Sequence, residues 1–366
     1  MDHEELSIER QRIDAIDQDI LRLLQERVGC ALRVGEKKKA MGMPLFDPAR
    51  ESRIYDRLRG LNAELAQNQS TLPDSAIAAI FREIISACRN AEHPVRVAFL
   101  GPAGTNTQEA TTSYFGSAFD PLPLGTPDEV CHVVATGGAD YGVLAIENST
   151  HGIVSPTLDL LANAPLTVCA EIKWTIHACL LSNTELGKIT TVYSHEQALA
   201  QCRGWLASHL PGAALVPVTS TARGAEMAKT QEGAAAVGAA IAANIYGLQV
   251  VAQNIEDLAG NTTRFFVVGP GGSTNTPAPT GRDKTSLTFL VPHKAGALVE
   301  VLGIFRKHGV NLSMIQSRPT RQETWEYRFF ADVQAHRDDE SLKQALAELA
   351  ELTVSYKILG SYPEAD

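Results

Sequence analysis

This chain has no apolar run approaching ~18 residues, the least that would read as a membrane-spanning helix. Its N-terminal stretch, MDHEELSIER, is acidic and has no apolar centre, so it does not read as a secretory signal. Positive charge is in deficit: 32 Lys and Arg face 42 Asp and Glu, a net of −10. That balance argues against nucleic acid or an anionic membrane surface as partner. Cysteine is sparse, with six residues (30, 88, 131, 169, 179 and 202) that show neither paired metal spacing nor a dense disulfide pattern. They read as reduced, mostly buried thiols, which places the chain in the cytoplasm. What is present is an ordinary globular composition, 44% hydrophobic and 20% charged. At 366 residues it suggests two or three domains, each able to bury its own core.

Residues 1–92 read as nearly all helix. From Ile13 the apolar residues recur at heptad spacing (Ile13, Ile16, Ile20 and Leu23, then Cys30 and Val34), the period of a helix–helix seam. The next seam slot after Leu23 holds Arg27. An unpaired buried cation is costly, so either Arg27 meets an anion on a partner helix or the seam opens into a pocket for an anionic ligand. Lys38 faces the same way to within about 20°, whereas Arg10 points roughly 100° off that line and suits a neighbouring chain. The first helix spans about Ser7 to Ala40, and Asp47-Pro48 caps and opens a second. Asn62 to Pro73 is a polar break, and a third helix runs from about Asp74 to Ala91. A bundle with one such long helix has too little core alone and is expected to be completed by a second copy.

Near His93-Pro94 the pattern changes. The run Val95–Leu100 ends in Gly101-Pro102-Ala103-Gly104-Thr105. Short apolar runs at 141–146, 166–169, 176–181, 191–193, 214–218, 250–252 and 265–268 then alternate with helical stretches, an α/β pattern sized for two lobes around a cleft. Pro270 to Pro279 reads as a linker. The remainder fits strand–helix–strand–strand–helix–strand, at 286–291, 298–308, 312–318, 326–333, 341–349 and 354–359, a ferredoxin-like order. Taken singly, the motifs here are modest. The Gly-rich turn after a strand can cradle an anion but is neither a P-loop nor a dinucleotide fingerprint. Glu147-Asn148-Ser149, Ser194-His195 and Ser220-Thr221 serve as caps, and Asn261-Thr262-Thr263-Arg264-Phe265 serves as a strand entry.

Together they carry more. Residues 1–92, with Arg10, Arg27, Lys38, Asp47, Arg50 and Glu51, then Cys88 and Glu92 one turn apart, resemble the all-helical chorismate mutase family. Cys88 and Glu92 stand where that family has a small polar residue and a glutamine. Residues 95–269 resemble the prephenate dehydratases through Gly-Pro-x-Gly-Thr, Ile146-Glu147-Asn148, Tyr193-Ser194-His195 to Gln201, and Asn-x-Thr-Arg-Phe, with Asn106 where an aromatic is usual. Residues 284–363 resemble ACT regulatory domains through Gly296-Ala297-Leu298-Val299 and Ser317-Arg318-Pro319, with Gln316 in place of a glutamate. The fold class implied is multidomain. An all-α mutase domain precedes a two-lobed α/β domain of periplasmic-binding-protein type, and a ferredoxin-like α+β sensor follows.

The resemblance also implies roles. In the mutase, a concerted rearrangement of chorismate to prephenate needs no nucleophile, cofactor or metal. Arginines bind the substrate carboxylates bidentately, Lys38 donates to the breaking ether oxygen, and Arg10 reaches into the partner's site. Glu92 helps only when protonated, since ionised it repels that oxygen. In the dehydratase, Thr263 donates a proton to the departing ring hydroxyl as the ring carboxylate leaves as CO2. Thr105, Glu147, Asn148, Ser194, Gln201, Ser220, Thr221 and Arg264 are the implied substrate contacts. L-phenylalanine is the implied effector, at Gly296, Ala297, Leu298, Asn311, Leu312, Ser317 and Arg318, across paired sensors of a homodimer or higher oligomer. Three rival readings stay open. The helical domain serves only to dimerise, the substrate is arogenate, or the two lobes form a small-molecule sensor without chemistry.

Overall fold

The computed structural model describes residues 3–44, 46–65, 72–272, 276–320 and 327–365. Parts of the expected polar break (66–71) and linker (273–275), and Glu326 of an expected strand, lie outside these residues. Among the described residues no helix is long and apolar enough to cross a membrane. Compactness divides the chain into two units, one of residues 1–47, 54–95 and 115–120, the other of 48–53, 96–114 and 121–366.

The helical segment contains α1 (His3–Ala40), α2 (Pro48–Leu65) and α3 (Asp74–Glu92). Proline at the first position of α2 removes an N–H that has no intrahelical partner there. In α1 the residues withdrawn from solvent are Leu24, Arg27, Val28, Gly29, Ala31, Gly35 and Lys38, on the helix that packs on α3. The seam expected from Ile13 lies beside these residues. Ile13, Ile16, Ile20 and Leu23 are 49–55% exposed, so within one chain about half of each is left open to solvent.

The middle segment runs β1 (Arg96–Leu100), α4 (Asn106–Phe115), β2 (Asp120–Leu124), α5 (Pro127–Ala135), β3 (Tyr141–Asn148), β4 (Gly152–Ile153), α6 (Ser155–Asn163) and β5 (Leu166–Thr175). It continues with β6 (Cys179–Ser182), β7 (Thr191–His195), α7 (Glu196–Gln201), α8 (Arg203–His209), β8 (Ala214–Val218), α9 (Thr221–Thr230), β9 (Ala234–Gly238), α10 (Ile241–Tyr246), β10 (Gln249–Ala252) and β11 (Thr262–Pro270). The first lobe is a sheet of order β2-β1-β3-β11-β5 with β4 on β3, and the second is β10-β6-β9-β7-β8. The chain crosses between lobes twice, after β5 and again before β11. The crossings bond to each other, Ile255 N–H to Ala178 O at 3.0 Å. Strand β9 is absent from the sequence reading because Ala234-Ala235-Ala236 looks helical by propensity. Its alanines are at most 1% exposed at the centre of the second sheet, and full burial between neighbours overrides that preference.

The C-terminal segment is β12 (Asp283–Leu290), α11 (Ala297–Lys307), β13 (Leu312–Pro319), β14 (Tyr327–Val333), α12 (Glu340–Leu352) and β15 (Ser355–Pro363), with sheet order β13-β14-β12-β15, all antiparallel. Its helices bury Val301, Phe305, Leu342 and Leu349 on one face of the sheet. The other face lies against the first lobe: Phe330, Leu359 and Tyr362 join the core built on Leu144, Ile146 and Phe266.

Candidate active sites

In the helical unit, α1 and α3 bring four of the expected residues together. Arg27 Nη1 donates to Cys88 Sγ at 2.8 Å, so this cation meets a soft acceptor rather than a carboxylate. One turn on, Glu92 lies over Gly35; a Cβ on that glycine would sit 3.0 Å from Glu92 Oε2. Burial pushes the Glu92 carboxyl above its ordinary value, and Lys38, Arg89 and Arg27 offset that only in part. The cluster therefore has a cationic wall and a carboxyl biased toward its neutral, proton-donating form. Asp47 is half-buried just ahead of α2, and Arg50 and Glu51 occupy its first turn. Arg10 is exposed on the N-terminal part of α1, the part whose apolar face is uncovered.

The two-lobed domain holds a cavity of ≈570 Å3 at the crossings, lined among others by Thr150, His151, Gln197, Gln201 and Asn261. Register places Thr263 of β11 opposite Asn148 of β3, and paired residues share a face. Asn148 Nδ2 donates to Thr263 Oγ1 at 2.8 Å and to Asn261 Oδ1 at 2.8 Å. The amide's orientation follows from its other end. Asn148 Oδ1 accepts the backbone N–H of Thr150 (3.0 Å) and of His151 (3.1 Å), and only an oxygen can do so. The nitrogen must then face Thr263, whose oxygen must accept. The Thr263 hydroxyl proton is left for a group in the cleft.

His151 and Gln197 are additions that the sequence motifs did not flag. His151 Nδ1 lies 3.0 Å from Asn148 Oδ1, and the Gln197 amide nitrogen lies 2.8 and 3.0 Å from the two ring nitrogens. A residue of the first lobe thus touches the opening turn of α7 in the second. The signal available was the Asn-x-x-His spacing after a strand, an Asx-turn pattern that folds the loop back on Asn148.

The other expected contacts are divided between the cavity and positions away from it. Gln201 lines the cavity, its Oε1 3.5 Å from Asn261 Nδ2. Ser194 is fully buried and donates to Val237 O at 2.6 Å, holding β7 to β9 rather than facing the cleft. The close approach there requires Gly224, where a Cβ would lie 2.8 Å from Tyr193 O. Ser220 caps α9 by accepting Arg223 N–H at 3.0 Å, and Thr221 begins that helix. Thr105 donates to Leu100 O at 3.3 Å at the start of α4. Arg264, expected as a substrate contact, faces away from Thr263 because adjacent strand residues alternate. It bonds to Glu171 and Asp332, with Glu147 3.9 Å away on that same side.

In the C-terminal domain Gly296 takes φ 84° to start α11, a left-handed turn open to glycine. Asn311 donates to Gln334 Oε1 at 2.7 Å just before Leu312 opens β13. Arg318, expected at the effector, instead forks onto Asp159 of α6 at 2.7 and 3.2 Å. Lys357 donates to the end of the same helix, 2.7 Å from Ala164 O.

Three family models match in succession: chorismate mutase type II over residues 9–93, prephenate dehydratase over 97–272 and the ACT domain over 285–351. That combination defines a two-activity enzyme with a regulatory domain attached. A bifunctional chorismate mutase/prephenate dehydratase of Aquifex aeolicus is 42% identical over 363 residues, covering 99% of each chain. One from Pseudomonas aeruginosa is 39% identical, covering 100% of this chain and 99% of its own. Among solved structures, prephenate dehydratase of Arthrobacter aurescens in complex with L-Phe superposes with a TM-score of 0.69 at 37% identity, over 74% of this chain and 91% of that one. The chain belongs to the family of bifunctional chorismate mutase/prephenate dehydratases.

Proposed function

We propose that residues 1–92 rearrange chorismate to prephenate, residues 95–269 convert prephenate to phenylpyruvate, and residues 284–363 sense L-phenylalanine. In the first step Arg27, with Arg50 and the partner copy's counterpart of Arg10, holds the substrate carboxylates, and Asp47 and Glu51 position the substrate's hydroxyl and the cations. Lys38 and protonated Glu92 donate to the ether oxygen as its bond to carbon breaks and the new carbon–carbon bond forms. No group is transferred to the protein.

In the second step the substrate lies in the interlobe cavity with its ring hydroxyl toward Thr263. The carboxylate leaves as CO2, its bonding electron pair entering the ring, and the ring hydroxyl leaves as water with the Thr263 proton. Solvent returns that proton to Thr263. The observation that carries this reading is the Asn148 amide, which faces Thr263 with a donor and leaves the hydroxyl proton unused. His151 and Gln197 hold the loop and the second lobe together over the substrate, excluding water.

The exposed apolar face of α1 supports a homodimer, with that face against its own copy. The sensor supports the same conclusion. Asn311 and Leu312 lie at one end of β13 and Ser317 and Arg318 at the other, about 20 Å away at ~3.4 Å per residue, and the Leu290 end of β12, from which the chain runs on to Gly296, is level with Arg318 through β14. One chain cannot close both halves on one amino acid, whereas paired edge strands bring opposite ends together. The five buried cysteines, with Cys169 and Cys202 thiols pushed up to about 12 by burial, suit a reducing cytoplasm. The test is to give purified protein chorismate and follow both products. Prephenate should rise and then yield phenylpyruvate, L-phenylalanine should slow the second step, and Arg27→Ala should abolish the first. A protein that consumes neither chorismate nor prephenate would overturn the proposal.

A further inference from the structure

Arg264 is the immediate neighbour of Thr263, and its side chain leaves the cleft for the C-terminal domain. There it enters a knot of groups withdrawn from water. Its Nε donates to Glu171 Oε2 at 2.7 Å on β5, its Nη1 lies 2.6 Å from Asp332 Oδ2 on β14, and its Nη2 donates to Tyr362 OH at 3.2 Å on β15. Lys284 Nζ on β12 holds the other Glu171 oxygen at 3.0 Å. Glu171, Asp332 and Tyr362 are at most 3% exposed. Asp332, Tyr362 and Lys284 belong to the sensor.

Two properties make this more than adhesion. A buried ion that loses its partner is strongly penalised, so the knot is either whole or separated, with little between. The ladder around Thr263 is also irregular. The register of β11 on β3 shifts between Arg264 and Phe265, immediately past Thr263, a local irregularity, while its pairing with β5 stays in register from Thr262 to Val267. The side-chain anchor of Arg264 sits at that irregularity and adds a hold on the sensor beside the two ladders.

We propose that this knot is the positioning element through which the sensor sets Thr263, with Arg264 a positioning residue for the dehydratase step and Asp332 and Tyr362 its grip on the sensor side. The proposal rests on Thr263 being the proton donor. A sensor that shifts on binding its effector pulls or releases Arg264, and the threonine one residue away moves with it. A misplacement of about 1 Å at a reacting group costs on the order of 100-fold in rate, so a small displacement suffices for inhibition.

The test uses the full-length protein with Asp332→Asn and Tyr362→Phe. Dehydratase kcat and KM are measured with and without L-phenylalanine, and mutase rate and melting temperature report integrity. Asp332→Asn should lower dehydratase kcat roughly 10- to 100-fold with KM within about twofold, leave the mutase rate unchanged, and blunt inhibition at saturating L-phenylalanine. Tyr362→Phe should act in the same direction with smaller size. Variants that melt earlier yet keep the parent kcat and full inhibition would overturn the proposal, since the knot would then only stabilise. A rise in KM at constant kcat would overturn it as well. Parent protein without dehydratase activity, or an undiminished Thr263→Val, would instead overturn the reading of the site, leaving the two failures distinguishable.

Discussion

Asn148→Asp is the sharpest perturbation of the proposed dehydratase centre, because it replaces one atom, the nitrogen that donates to Thr263 and Asn261, and changes almost no shape. An aspartate keeps the oxygen that accepts Thr150 and His151 N–H, so the loop retains its anchor. Its second oxygen replaces the nitrogen that lies 2.8 Å from Thr263 Oγ1. Two oxygens at that distance need a proton between them, and only the threonine has one. The hydroxyl turns toward the carboxylate and is no longer available to the leaving group. Removing a positioned general acid costs about 10²–10⁴ in rate. Asn148→Ala leaves Thr263 oxygen without its donor, about 1–3 kcal/mol, but leaves its proton free. The expected order of kcat is therefore parent, then Ala, then Asp, with Asp at least about tenfold below Ala and the mutase rate equal in all three. Steady-state assays on prephenate settle it. An aspartate variant as active as the alanine variant would refute the assigned direction of the hydrogen bond.

The mutase should lose rate as pH rises through the raised Glu92 value, because its donating form is the protonated one and burial retains that proton beyond the ordinary carboxylate range; Glu92→Gln should flatten the profile, and a parent profile already flat would contradict the role. Burial alone would raise Glu171, yet Arg264 and Lys284 outweigh it and hold the folded carboxyl below its ordinary value of 4.5. The folded state then binds fewer protons there than the unfolded state. The stability it contributes is full above about pH 4.5 and is lost as pH falls through the lower folded value. Melting temperatures measured down the acid side should fall less steeply in Glu171→Gln, and parallel curves would argue against it. Ile16→Asp with Ile20→Asp should yield monomers in sedimentation, since each isoleucine contributes about 1.5–3 kcal/mol when fully buried and a symmetric contact loses it twice. An unchanged dimer would remove the α1 face from the interface.

Much of this was legible in the sequence where local pattern and tertiary role coincide. The three helices and the sensor's strand–helix order follow from periodicity, and the residues of the Arg27–Cys88 cluster from their helical spacing. Legibility failed where a residue's face depends on a partner far along the chain. Ser194 and Arg264 sit in motifs beside proposed site positions, but one serves a neighbouring strand and the other the sensor domain, and a motif does not state which side of a sheet its members face. Asn148 and Thr263 were both expected in the site and the structure pairs them, yet the direction of the proton between them depends on a loop turning back on the same amide. Strand β9 was hidden because alanine's helical preference is readable and its central burial is not.

The most direct test of the central claim is a single-turnover experiment on Thr263→Val, which keeps the side chain's shape and removes its proton. Mixed with chorismate, this variant should form prephenate at the parent rate and hold it, with phenylpyruvate appearing at least about 100-fold more slowly than in the parent. Phenylpyruvate formed at the parent rate would contradict the account, because the threonine would then not be the proton donor.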